Sequence, residues 1–183
     1  QLHGGYPSEF GDRLAEAVRT MVFREELVVA DLGCGMAQRT LNTLKPLIGE
    51  ITEHVERLAY WGLDHNPDAI DHARRKTERW RKLGVEMSLQ AADLTQPLRL
   101  GSKFRGGVDI AVSSRVMHSL PTRAGVEQFL GNVRGILKPG GMAIISAGST
   151  DDWKWGMGEP VDDWMIDYAK VMELGRVGVD SFR

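Results

Sequence analysis

Three carboxylates and one hydroxyl in this 183-residue chain stand where short apolar runs stop: Asp31, Asp64, Asp93 and Ser113. A carboxylate in such a place can accept charge-assisted hydrogen bonds from the hydroxyls or amines of a ligand. Gly33 and Gly35 follow Asp31, and glycine both admits positive φ and lets a ligand approach the backbone with no Cβ in the way. An acidic group beside two glycines suits a ligand with a cationic amine and no phosphate at that point. A dinucleotide-binding turn asks instead for G-x-G-x-x-G/A. Gln38 fills the third small position, which argues against a nicotinamide cofactor. His118 lies just past the fourth apolar run and titrates in the range a general base needs. Ser114 and Arg115, beside it, read as pocket lining.

The elements that must hold these groups alternate along the chain. Phe10, Leu14, Ala17, Val18, Met21 and Val22 fall at helical spacing behind a candidate cap, Ser8. Leu27-Val28-Val29-Ala30 is an unbroken apolar run, the mark of a strand buried on both faces in a parallel sheet. Helical spacing resumes at Leu41, Leu44, Leu47 and Ile48. A second strand runs from Leu58 to Leu63. Asn66-Pro67 then opens a helix, with Asn as cap and Pro at its first position. That helix is expected to turn Ile70, Ala73, Thr77 and Trp80 inward and to stop near Gly84. Residues 85–91, 108–113 and 142–146 give three more strands, with a helix over 124–137 and a turn at Lys138-Pro139-Gly140-Gly141. Strand and helix alternating at this spacing predict an α/β, doubly wound, mostly parallel Rossmann-like sheet with five recognisable strands. In such a sheet the ligand crevice lies outside the carboxyl ends of the strands, where the four polar residues converge.

Length and composition bound the rest. One domain is expected, with residues 1–150 as the binding domain and its helical lead-in, and 151–183 as a lid or substrate-covering segment of the same unit. That last segment carries Trp153, Trp155, Trp164, Met157, Met165 and Met172, with eight acidic residues against four basic. A helix over 162–174 is expected there, and no further strand pair. The net charge of −2 speaks against a generally basic nucleic-acid binder. Arg74, Arg75, Lys76, Arg79, Arg81 and Lys82 share their helix with Asp68, Asp71 and Glu78, which reads as a solvated face. Cys34, the single cysteine, excludes an intrachain disulfide, suits a reducing compartment such as the cytoplasm, and reads as a small buried hydrophobe. His3, His54, His65 and His72 form no ligand set with nearby carboxylates, so no metal is expected. No run is long enough for a membrane helix. The opening Gln1-Leu2-His3-Gly4-Gly5 has neither an initiator Met nor an apolar signal core. It reads as an artificial edge or an internal cut, with a longer natural protein expected.

Leu27-Val28-Val29-Ala30-Asp31-Leu32-Gly33-Cys34-Gly35 resembles the first motif of the class I S-adenosylmethionine-dependent methyltransferases. Trp61-Gly62-Leu63-Asp64 and Gln90-Ala91-Ala92-Asp93-Leu94 are similar to the second and third. The segment from Phe104 to Leu120 resembles the fourth, and Leu137-Lys138-Pro139-Gly140-Gly141 the turn before the fifth strand. The resemblance implies S-adenosyl-L-methionine as cofactor. Asp64 would hold its ribose, and Asp93 with the Leu94 backbone would face its adenine. Gly33 and Gly35 would lie along its methionine portion, Asp31 would orient the loop or meet the ammonium through water, and Ser113 would line the site. Tyr6 would cap the cofactor carboxylate. The implied activity is methyl transfer to a small or medium organic acceptor, with His118 as the base. The family's Asn-Pro-Pro-Tyr sequence, associated with amino-nitrogen acceptors on bases and glutamine, does not occur here. The family's usual last two strands have no counterpart in the pattern. The alternative is a cofactor-binding, non-catalytic module of a larger assembly; as partners, a longer chain or a homo-oligomer is expected.

Overall fold

The apolar runs form strands that lie side by side in one parallel sheet. The computed structural model describes residues 6–21, 25–98, 107–146 and 177–180. Its strands are β1 (Glu26–Leu32), β2 (Arg57–Asp64), β3 (Val85–Ala91), β4 (Val108–Ser114), β5 (Leu137–Ser146) and β6 (Val177–Asp180). They run in the spatial order β3-β2-β1-β4-β5-β6, every adjacent pair parallel. Strand order therefore reverses between β1 and β4. That is the switch point where a crevice opens at the carboxyl edge of a doubly wound sheet.

Burial follows from that position. β1, β2 and β4 are covered on both faces along almost their whole length. On one face Val29, Tyr60, Ile110 and Val112 pack under α1 (Tyr6–Met21), α2 (Gln38–Leu44), α3 (Ile48–His54), α4 (Pro67–Lys76) and α5 (Glu78–Lys82). On the other, Val28, Ala30, Leu32, Trp61 and Ala111 meet Val126, Phe129 and Val133 of α6 (Arg123–Ile136). β3 is more open, with Glu86, Gln90 and Ala91 exposed. At the end of the sheet remote from the crevice, the fully buried Asp109 accepts hydrogen bonds from Val28 N–H and Lys138 Nζ, both at 2.9 Å.

Four expectations change. α1 begins at Tyr6, so Ser8 lies inside the helix and does not cap it. The helix after Pro67 breaks at Thr77 (ψ 0°), giving α4 and α5. Ile70, Ala73, Thr77 and Trp80 are all buried nonetheless, because the break leaves both pieces facing the sheet. β5 starts at Leu137, since Leu137 already pairs with Val108, and the register slips between Val108 and Ile110 to absorb Pro139 and the two glycines. Finally, the sheet has a sixth strand beyond the five expected: the segment read as offering no further strand pair supplies the single strand β6, which pairs in parallel with residues 143–146 of β5. The expected helix over 162–174 lies outside the described residues. Three of the basic side chains on α4 and α5 are occupied locally. Arg74 pairs with Asp71 at 2.8 Å, Arg81 with Glu78 at 3.2 Å, and Arg79 stacks 5.8 Å from the Trp80 ring centroid.

Candidate active site

The turn after β1 is shaped by three successive left-handed residues at alternate positions: Gly33 (φ +79°), Gly35 (φ +52°) and Ala37 (φ +60°). The first is tied to β2, because Gly33 N–H and Cys34 N–H both donate to Leu63 C=O at 2.7 and 2.9 Å. A Cβ on Gly33 would fall 2.0 Å from Val116 Cγ2, in the segment after β4. Gly33 is thus required by packing as well as by φ. A Cβ on Gly35 would meet nothing within 4 Å, so the backbone there borders open space. Ala37 ends the turn as the residue preceding α2, fully buried and donating its N–H to Cys34 C=O at 2.8 Å.

Asp64 joins this turn to the end of β2. Its Oδ2 accepts from Gly35 N–H at 2.7 Å and its Oδ1 from Asn66 N–H at 2.9 Å. His65 Nδ1 lies 3.4 Å from Oδ1. Asp64 is 7% exposed, and its two oxygens offer about four acceptor positions, so capacity is left for a ligand. Asn66 caps α4 as its sequence position predicts, accepting from Asp68 N–H at 2.9 Å and Ala69 N–H at 3.3 Å.

Asp31 is placed deeper. Its Oδ2 accepts the Tyr60 hydroxyl at 2.8 Å, and the buried Thr40 hydroxyl is a second partner. Burial pushes the Asp31 carboxyl up to about 6, with the negative charge of Asp64 adding to it. Thr40, Tyr60 and Arg39 pull the other way. Burial also raises the Cys34 thiol far above its usual range, with Asp31 and Asp64 reinforcing the shift. Gly62, opposite Asp31 in the ladder, makes room for this group: a Cβ there would lie 2.9 Å from Cys34 Sγ and 3.2 Å from the Tyr60 ring.

Asp93 is exposed at the end of β3. Its Oδ1 accepts from Thr95 N–H at 2.9 Å and Thr95 Oγ1 at 2.7 Å, which holds the carboxyl below its ordinary value. Asp93 lines a cleft of about 260 Å³ together with Leu63, Gln90, Gln96 and Leu98. Leu94 buries its side chain, and its carbonyl accepts from Asn132 Nδ2 at 2.9 Å. Ser113 is 1% exposed and its hydroxyl has no partner among the described residues. Arg39 donates to Ser114 Oγ, tying α2 to the end of β4, and Arg115 follows in a left-handed conformation (φ +62°). His118 lies in the 3-10 turn Met117–Ser119. Its side chain, like that of Tyr6, is outside the described residues.

The structure thus gathers Asp31, Gly33, Gly35 and Asp64 at the carboxyl ends of β1 and β2, with Gly35 N–H bonded to Asp64 and Asp31 held by Tyr60 and Thr40, while Asp93 lines the cleft that Leu63 also borders. Sequence reasoning did not find Tyr60, Thr40, Ala37 or Asn132. The glycine inside β2 was the available signal for Tyr60, since a strand glycine marks close approach of another group. Among the described residues no three His, Cys, Asp or Glu side chains gather as a metal set, and no helix is long and apolar enough to cross a membrane.

Residues 30–143 match the family model of the methyltransferase domain. The chain belongs to that family, the Rossmann-like methyltransferases that use S-adenosylmethionine. Solved structures agree in fold. The trans-methyltransferase CalH, in complex with S-adenosylhomocysteine, superposes with a TM-score of 0.54 at 23% identity, over 72% of this chain and 34% of that one. YcgJ from Bacillus subtilis gives 0.59 at 15% identity, over 87% and 67%. An S-adenosylmethionine-dependent methyltransferase from Clostridium acetobutylicum gives 0.56 at 18%, over 77% and 50%. The chain spans about a third of the length of CalH and of the DszA and CurJ carbon methyltransferases. No curated protein sequence matches it.

Proposed function

We propose that this chain binds S-adenosylmethionine at the carboxyl edge of β1 to β4, as the cofactor domain of an enzyme that methylates a small or medium organic acceptor. The observation that carries the reading is the Asp64 carboxylate. It is nearly buried, fixed by Gly35 N–H and Asn66 N–H, and still has acceptor capacity beside the strand-order reversal. The remaining groups fit that cofactor. Open space borders Gly35, and the buried Ser113 hydroxyl is without a partner among the described residues.

In this reading Asp64 accepts the ribose hydroxyls. Asp93 accepts the adenine amino group, with Leu94 N–H beside it. Gly33 and Gly35 lie along the methionine portion, and Asp31 orients the turn and offsets the ammonium. Bound S-adenosylmethionine supplies an already activated methyl group, so the protein's part is chiefly to position, exclude water and hold charge. His118 would take a proton where the acceptor carries one. Residues 151–183, rich in Trp and Met, suit a cover over the acceptor. A single cysteine is consistent with a cytoplasmic enzyme.

Asp64→Asn tests the reading, because it keeps the shape but turns an amide N–H₂ toward groups that need an acceptor. Affinity for S-adenosylhomocysteine should fall about 30-fold, the scale of ~2 kcal/mol for lost charged hydrogen bonds. Unchanged affinity in a folded variant would remove Asp64 from the ribose site. Methyl transfer to a panel of acceptors then separates an enzyme from a non-catalytic binding module.

A further inference from the structure

Asn132 is a polar residue on α6, on the face that packs against the sheet, and it is 7% exposed. It makes every hydrogen bond an amide side chain can make. Its Nδ2 donates to Leu94 C=O and Gln96 C=O, both at 2.9 Å, and its Oδ1 accepts from Leu98 N–H and Gln128 Nε2, both at 3.1 Å. Three of the four partners are backbone groups of residues 94–98, and residues 96–98 of that segment wall the cleft beside Asp93. A second attachment lies one turn into α6, where a Cβ on Gly125 would stand 3.2 Å from Thr95 Cγ2. Thr95 in turn donates twice to Asp93 Oδ1. The chain of contacts runs from α6, through the loop, to the carboxylate that faces the cleft. Asp93 Oδ2 has no partner among the described residues.

We infer that Asn132 is a positioning residue that sets the cofactor's base specificity, holding the 94–98 wall so that Asp93 meets an exocyclic amine and not a carbonyl. This rests on the reading above that the cleft takes adenine. Three of the four hydrogen bonds of this buried side chain thus fix one loop at Leu94, Gln96 and Leu98. A saturated buried network of this kind has one geometry, because any shift leaves a polar group unpaired.

The test compares S-adenosylhomocysteine with S-inosylhomocysteine, in which a carbonyl replaces the base amine. The wild-type chain should prefer the adenosyl ligand by about tenfold or more, the worth of a hydrogen bond to a charged acceptor. Asn132→Asp keeps both acceptor contacts but sets a carboxylate against two carbonyls, and the preference should fall below about threefold. Asn132→Ser, too short to reach the loop, is the milder second variant. Gln128→Ala removes only the bond outside the loop and should keep the full preference. Folded Asn132 variants that bind both ligands weakly but in the wild-type ratio would overturn the assignment, since general destabilisation leaves the ratio alone. A wild-type chain that fails to discriminate would instead bring down the adenine reading, and the assignment with it.

Discussion

Replacing Gly33 with alanine perturbs the structure in two separate ways. The first is backbone conformation: at φ +79° an L side chain costs about 1–2 kcal/mol. The second is collision. The new methyl would sit 2.0 Å from Val116 Cγ2 and 3.3 Å from Val116 Cγ1, an overpacking that costs about 1–3 kcal/mol. Together they give a loss of about 2–5 kcal/mol, or roughly 2–4 °C of melting temperature per kcal/mol for a domain of this size. Val116→Ala removes both γ carbons and leaves only Val116 Cβ, at 3.2 Å. In that background Gly33→Ala should cost only the conformational share, about 1–2 kcal/mol. The double-mutant cycle, measured by urea unfolding with the slope checked for constancy, should therefore show a rescuing interaction of about 1–3 kcal/mol. A Gly33→Ala cost under about 1 kcal/mol would refute the left-handed turn. An equal cost in both backgrounds would refute the contact with Val116.

Two further perturbations follow from the buried charges. Asp31, with its carboxyl raised to about 6 from 3.8, binds its proton more tightly folded than unfolded. Its contribution to stability is therefore present below about pH 4 and is lost as pH rises to about 6, a swing of no more than about 3 kcal/mol. Asp31→Asn should gain on the wild type across that window and hold a constant difference above it. A difference that does not change with pH would contradict the burial. At the other end of the sheet, Lys138→Met leaves Asp109 buried with a charge partner removed, and should cost about 3 kcal/mol in urea unfolding. A loss below about 1 kcal/mol would mean that the pair carries no weight.

Much of this arrangement is legible in the residues. The central strands declare themselves because burial on both faces demands apolar runs, and the carboxylates that end those runs mark the crevice. Asn66-Pro67 announces α4 through local chemistry alone. Other features depend on partners far away in sequence. The Asp31–Tyr60 bond spans 29 residues and the Asn132 bonds to the loop span 34 to 38, so each looks like an ordinary polar residue when read singly. The break at Thr77 is silent because α4 and α5 keep the same face inward. β6 is four residues with a glycine inside, too short to show a period. Ala37 carries no sign of φ +60°, since it is not one of the residue types (Gly, Asn, Asp) that signal that conformation.

Calorimetric titration of the chain with S-adenosylmethionine, S-adenosylhomocysteine and NADH in parallel tests the central claim most directly. The account predicts saturable binding of both adenosyl ligands near micromolar Kd, an interaction of about 8 kcal/mol, and no heat from NADH. Binding of NADH with neither adenosyl ligand would contradict it.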